Sequence, residues 1–188
     1  MKVFISTLPF GEVSTEAFDI LKERNIEFDL NPFKRKITEL ELYKIIPDYD
    51  GLIAGTEPIT KKVLDNAFKL KVISRLGVGT DNIDLDYAKS KKVKIEVTHD
   101  APTNSVAEHT VALILNMLRH INESDTNLKK GIWEKKMGKE LSECTIGIVG
   151  AGRIGLKVMR LISAFQPKSI LYMDPLNDVQ ETFCEKTN

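Results

Sequence analysis

Thr145-Ile146-Gly147-Ile148-Val149-Gly150-Ala151-Gly152-Arg153-Ile154-Gly155 joins a strand-length apolar run to a glycine-rich bend. The run is rich in β-branched residues and carries no charge, as a strand does. Beyond the bend, Ile154, Val158, Leu161, Ile162 and Phe165 recur at steps of three and four, the signature of an amphipathic helix. Pro167 ends that pattern, and a second apolar run, Ile170-Leu171-Tyr172-Met173, leads to Asp174, 19 residues after Gly155. The order strand, G-x-G-x-x-G, helix, strand, acidic residue is the signature of a Rossmann-type βαβ unit.

Each part of that unit has a physical task. Gly150 permits the tight turn, Gly152 leaves the backbone open to a pyrophosphate, and Gly155 lets the helix approach the strand. The helix N-terminus, opening on Arg153 and Ile154, offers free N–H groups and partial positive charge to phosphate. Asp174 can accept hydrogen bonds from a ribose diol and would repel a 2′-phosphate, which favours NAD over NADP. Two other readings stay open. The glycines can serve only to tighten the turn, and S-adenosylmethionine sites also combine a glycine loop with a later acidic residue. The third glycine and the Arg-Ile that precedes it suit a pyrophosphate better.

Composition bounds the rest. The chain has 188 residues, 42% of them hydrophobic, and zero formal net charge. That is enough for one large core or two small ones. The balance suits neither nucleic acid nor an anionic membrane surface, and no apolar run approaches membrane-spanning length. The start, Met1-Lys2-Val3-Phe4-Ile5-Ser6, is too short for a secretory leader. Cys144 and Cys184 stand apart, without metal-ligand spacing, so a reduced cytoplasmic chain is expected and no metal site is assigned.

Residues 1–103 alternate strand-like and helix-like segments. Strands are expected at Val3–Ser6, Ile26–Leu30, Gly51–Ala54, Val72–Ser74 and Val93–Val97. The intervening helices open at Ser14, at the capping box Thr38-Glu39-Leu40-Glu41, at Thr60 and at Asp84. Such alternation implies a parallel, doubly wound sheet. Within it, Arg75-Leu76-Gly77-Val78-Gly79-Thr80-Asp81 ends a strand with two glycines, where ligands of open α/β sheets bind. Its amides can hold a carboxylate, or the loop is an ordinary βα turn.

Residues 103–121 read as one helix, apolar nearly all round through Val111–Leu115 and Met117-Leu118, hence buried between two bodies. Residues 122–143 are polar and read as a connecting arm containing Trp133. His109 and His120 lie on the helix without an evident carboxylate partner, which argues against acid–base catalysis by either.

Together these stretches resemble the D-isomer-specific 2-hydroxyacid dehydrogenases, notably their phosphoglycerate dehydrogenase branch. The matching runs are Arg75–Leu85, Asp100–Arg119, Gly131-Ile132-Trp133 and Ile146–Pro175. They follow the family's order over nearly the whole chain, with a shorter segment between Val97 and Asp100. The resemblance implies a flavodoxin-like substrate domain over 1–103, a crossing helix at 104–121 and part of an NAD-binding Rossmann domain over 122–188. NAD would lie in the cleft between the domains. Val78, Gly150, Gly152, Arg153, Ile154, Gly155 and Asp174 would bind it. Gly77, Val78 and Gly79 would meet the carboxylate of a small 2-hydroxy or 2-keto acid. The Trp133 arm would join a homodimer interface.

The family's chemistry is hydride exchange with NAD, with an arginine and a carboxylate-tuned histidine on the substrate. Those groups belong to the later half of the Rossmann domain. Here 14 residues follow Asp174 and none of His99, His109 or His120 matches that position, so no catalytic residue is assigned. The expectation is a truncated, inactive chain: a shortened piece, a frame-shifted gene, or half of a split enzyme. A non-catalytic NAD-responsive module and a nucleotide-free interaction domain are the rival readings. A two-stranded remnant would also hold its C-terminal third loosely, exposing parts of Ile146, Ile148, Ile170 and Tyr172.

Overall fold

The computed structural model describes every residue except Pro9, Asn177 and Asn188. It divides into two compact units, Met1–His99 and Asp100–Asn188. The first holds β1 (Lys2–Ile5), α1 (Glu16–Glu23), β2 (Glu27–Leu30), α2 (Glu39–Ile45), β3 (Gly51–Ala54), α3 (Lys61–Asp65), β4 (Val72–Arg75), α4 (Leu85–Ser90) and β5 (Lys94–Val97). All pairs are parallel, in the order β2-β1-β3-β4-β5. That is the flavodoxin-like order expected from the sequence. Central β3 buries Gly51, Leu52 and Ala54, as a strand covered on both faces must. The edges β2 and β5 carry Glu27, Asp29, Lys94 and Glu96, charges that discourage pairing with another chain. Phe4, Leu42, Ile46, Leu52, Ile59 and Ile73 are among the side chains that form its core.

The capping box at α2 forms as expected. Thr38 Oγ1 accepts from the Glu41 N–H at 3.3 Å, and the Thr38 N–H donates to Glu41 Oε2 at 2.9 Å. Arg35 adds a fork, donating to both Glu41 oxygens at 3.0 and 2.5 Å. Asp84 caps α4 by accepting from the Tyr87 N–H at 3.0 Å. Two caps differ from expectation. At α1 the N-cap is Thr15, not Ser14, whose hydroxyl instead accepts from the Glu16 N–H at 3.2 Å. Thr60 is the N-cap of α3, but its hydroxyl turns away to Glu39 Oε1 at 2.5 Å.

The second unit holds α5 (Thr103–Arg119), α6 (Ile121–Lys129), β6 (Thr145–Val149), α7 (Arg153–Ser163), β7 (Ser169–Met173) and a short β8 (Glu185–Lys186). These strands are parallel in the order β6-β7-β8. Val158, Met159 and Ile162 of α7 pack with Ile170, Tyr172 and one face of α5.

Three sequence expectations need correction here. The polar arm begins with a helix, α6, invisible to apolar periodicity because it buries nothing. It is separated from α5 by His120, whose left-handed φ of 52° breaks the helical run. Helix α5 is not covered all round within this chain: Leu113 and Met117 are 52% and 70% exposed. In β6, Ile146 and Ile148 are half-buried, as expected, and Val149 is exposed. Finally, the sheet gains a third strand, and Ile170 and Tyr172 are fully buried, because Val179, Phe183 and Cys184 of the segment before β8 pack onto that core. The Tyr172 hydroxyl accepts from the Val179 N–H at 2.9 Å and helps hold the segment down. No helix among the described residues is long and apolar enough to cross a membrane.

The α2 cap has a pH signature. The Arg35 guanidinium, followed by the Thr38 amide, holds the Glu41 carboxyl at about 2 instead of the ordinary 4.5. A carboxyl depressed on folding stabilises the fold fully above its unfolded value, and this contribution is lost as pH falls toward the folded value. The stability difference between the wild type and Glu41→Gln should therefore be constant above about pH 5 and shrink between about 4.5 and 2. Urea midpoints measured across that range check it. A difference independent of pH would refute the cap's ionic character.

Candidate functional site

The glycine bend sits between β6 and α7, and register fixes its place. Thr145 to Val149 pair in step with Ser169 to Met173, and the Gly150 N–H extends the ladder to the Met173 carbonyl at 2.9 Å. Gly150 then takes φ of 95°, a left-handed value that favours glycine. Ala151 tucks its side chain inward, and Gly152 stands as the N-cap of α7 without any side-chain cap. The amides of the first helical turn consequently face a position that no side chain of α7's own cap fills.

Space at the three glycines separates their roles. A Cβ at Gly150 or Gly152 would meet nothing within 4 Å, so the mouth of the bend is open. A Cβ at Gly155 would lie 2.0 Å from the Gly150 carbonyl oxygen. The helix is thus in direct contact with the bend, closer than any side chain permits.

Asp174 lies at this mouth. It is 8% exposed, and its Oδ2 accepts from the Ala151 N–H at 2.6 Å while Oδ1 accepts from the Leu176 N–H at 2.8 Å. The carboxylate is therefore oriented by the bend's own backbone. Arg153 and Ile154 are exposed at the start of α7. Arg153 donates to Asp100 at 3.1 Å, an exposed ion pair. A groove beside it is lined by Thr103, Asn104, Leu156 and Lys157. Gly150, Gly152, Arg153, Ile154, Gly155 and Asp174 are thus brought together in one unit.

The Arg75–Asp81 loop lies in the other unit, at the carboxyl end of β4. Gly77 has φ of 132°, and its N–H donates to the Thr98 hydroxyl at 2.6 Å, while the Thr98 N–H returns to the Gly77 carbonyl at 3.1 Å. Gly77 therefore has no amide to offer a ligand. The Val78 and Gly79 amides make no hydrogen bond among the described residues, and both residues are exposed. Arg75 braces the loop from within, its Nε donating to the Gly79 carbonyl at 3.1 Å and Nη1 to that of Leu76.

His120 lies away from the glycine bend. His120 does have a carboxylate partner, Glu123 at 3.4 Å, which the sequence did not reveal. Yet Glu123 is shared with Lys136 at 3.0 Å. His120 also lies at the far end of α5 from Thr103, about 25 Å along a 17-residue helix. No cluster of His, Cys, Asp or Glu among the described residues is arranged to hold a metal ion. Sequence reasoning missed Thr98, Asp100 and the buried Glu57. Each works through contacts with residues distant in sequence and leaves no spacing signal.

This geometry coincides with a clear relationship. Residues 3–183 match the family model described as D-isomer specific 2-hydroxyacid dehydrogenase, catalytic domain. The chain belongs to that family. A hydroxypyruvate reductase of Thermotoga maritima is 43% identical over 138 residues, covering 72% of this chain and 45% of that protein. A D-3-phosphoglycerate dehydrogenase of Methanocaldococcus jannaschii is 42% identical over 143 residues, covering 74% and 27% respectively. Among solved structures, the NAD⁺-bound 3-phosphoglycerate dehydrogenase of Entamoeba histolytica superposes with a TM-score of 0.79 at 27% identity, over 96% of this chain and 56% of that one. This member of the dehydrogenase family therefore spans half or less of these curated relatives' length.

The glycines give a stability contrast. Gly155→Ala should cost roughly 1–3 kcal/mol or more, because helix and bend must move apart. Gly152→Ala, at φ of −71° and in open space, should leave stability within about 0.5 kcal/mol of the parent. Urea denaturation of both variants checks the pair. Equal costs would show that the close contact is not what selects glycine at 155.

Proposed function

We propose that this chain supplies the adenosine side of an NAD site and the carboxylate-binding loop of a 2-hydroxyacid dehydrogenase. The supporting observation is the open, uncapped bend at Gly150–Gly152 with the Asp174 carboxylate fixed at its mouth. The residues present fit the cofactor. Amides of the first turn of α7 would bind its pyrophosphate, with Arg153 and Ile154 against it, and Gly155 keeps the helix in place. Asp174 would accept from the adenosine ribose and repel a 2′-phosphate. When bound, NAD accepts or delivers the hydride exchanged with the substrate carbon.

The chain's own residues bind and orient. The free Val78 and Gly79 amides would donate to the carboxylate of a small 2-hydroxy or 2-keto acid, with Val78 toward the nicotinamide. The names of the relatives support that substrate class. We assign residues 1–103 to the substrate side, 104–121 to a crossing helix and 122–188 to the nucleotide side. The exposed side chains of Trp133 and Met137 suit an arm within a homodimer. Among the described residues we assign none to exchange of the alcohol proton. A second reading is a non-catalytic NAD-responsive module, which keeps the nucleotide site and lacks turnover even when the rest of a family member is added.

Calorimetric titration separates the outcomes. NAD should bind at least about tenfold tighter than NADP. Gly152→Ala should weaken NAD at least about tenfold with an unchanged melting temperature, because its methyl group stands where the pyrophosphate approaches the backbone. Equal binding of the two nucleotides, or a Gly152→Ala variant with parental affinity, would remove the nucleotide assignment.

A further inference from the structure

Among the described residues, three of the four sheet edges are charged. β2 and β5 bound the first sheet with Glu27, Asp29, Lys94 and Glu96, and β8 bounds the second with Glu185 and Lys186. The fourth edge, β6, reads Thr145-Ile146-Gly147-Ile148-Val149 and carries no charge. It is also open. Thr145 and Gly147 are exposed, Val149 is 83% exposed, and a Cβ at Gly147 would meet nothing within 4 Å. The ladder to β7 uses the even-numbered residues: the Gly150 N–H donates to the Met173 carbonyl at 2.9 Å, and the Cys144 carbonyl accepts from the Lys168 N–H at 2.9 Å. Residues between them in a parallel strand turn N–H and C=O the other way. The backbone groups of Thr145, Gly147 and Val149 therefore line the free edge, and no other element among the described residues bonds to them. An unpaired, uncharged edge is a template for another strand.

We propose that β6 pairs antiparallel with β6 of a second copy of this chain, about a two-fold axis at Gly147. The strand is its own complement in that register. Gly147 faces its counterpart, Thr145 faces Val149, and Ile146 faces Ile148. The outward-turned residues then fall opposite one another as hydrogen-bonded pairs that exchange two bonds each, about six in all. Ile146 and Ile148 form the alternate pairs, whose side chains approach most closely, and the pairing covers apolar surface that is half-exposed in the single chain. Charge selects the occupant. A strand like β2, β5 or β8 would set unmatched charges against Ile146, Ile148 and Val149, whereas a second β6 brings none. The contact is isologous and joins the two small sheets into one, in the order β8-β7-β6-β6-β7-β8. It is separate from the arm at Trp133.

Sedimentation velocity of the 188-residue chain, with cysteine cross-linking, tests this. The chain should show a monomer–dimer equilibrium at concentrations between about 1 and 300 μM. Val149→Lys places a charge on the edge and should raise the dissociation constant at least about tenfold, with an unchanged circular dichroism spectrum. Trp133→Ala should leave that constant unchanged. In a background of Cys144→Ser and Cys184→Ser, Gly147→Cys should oxidise to a disulfide-linked dimer, because hydrogen-bonded partners stand about 5.5 Å apart at Cα, within disulfide reach. Leu176→Cys, 91% exposed but outside β6, should link far more slowly. A chain that stays monomeric over the whole range overturns the proposal. So does a dimer that survives Val149→Lys, one lost with Trp133→Ala instead, or a Gly147→Cys variant that links no faster than Leu176→Cys.

Discussion

The Gly150 carbonyl and the α-carbon of Gly155 are so close that no side chain fits between them. Much of the second unit depends on that contact. It fixes the start of α7 against the end of β6, and so decides where the helix amides point. It also sets the depth at which Val158, Met159 and Ile162 reach the sheet, where they meet Ile170 and Tyr172. A looser contact would separate these layers, and interior packing tolerates little separation before dispersion contacts are lost. The same constraint thus serves the core and the site, and the two cannot be optimised independently.

Much of the fold was legible because its determinants are local. The Thr38–Glu41 box needs only a spacing of three, and Asp84 needs only a helix to follow it. The β6–β7 pairing follows from two apolar runs and a connection of βαβ length. The illegible parts are those decided elsewhere in space. Helix α6 has just Ile121 and Leu128 as large apolar residues and is held by local bonds such as Lys129 to Asp125 at 2.6 Å. Its start is set by the left-handed backbone at His120, which no side-chain pattern announces. Strand β8 carries Glu185 and Lys186 and is recruited by the exposed edge of β7 rather than by its own propensity.

The candidate sites divide in the same way. The glycines and Asp174 were readable because a tight strand-to-helix turn and a close helix contact dictate their spacing. Glu57 was not, although it ties three strand ends together. Its carboxylate takes the Ser6 hydroxyl after β1 and the Gly55 amide after β3, while its carbonyl accepts from the Asn82 side chain, after β4, at 2.6 Å. A buried carboxylate is tolerated only when its hydrogen bonds are made, and here making them fixes the rim of the first unit. In the sequence it is one acidic residue before a proline.

Both units solve one problem with the same device. An array of backbone amides binds an anion only if the amides point outward, and a flexible loop would fold them back on its own carbonyls. In the second unit the Ala151 amide is committed to Asp174, and in the first the Gly77 amide is committed to Thr98. Each internal bond anchors the loop at one point and leaves its neighbours, Gly152 and the first turn of α7 in one case, Val78 and Gly79 in the other, turned to solvent. The amide committed to an internal bond is therefore what orients the others. It follows that Thr98 matters to the loop through position rather than contact: without its bond to the Gly77 amide, Gly77 would keep its unusual φ only at a cost, and the amides of Val78 and Gly79 would lose their common direction.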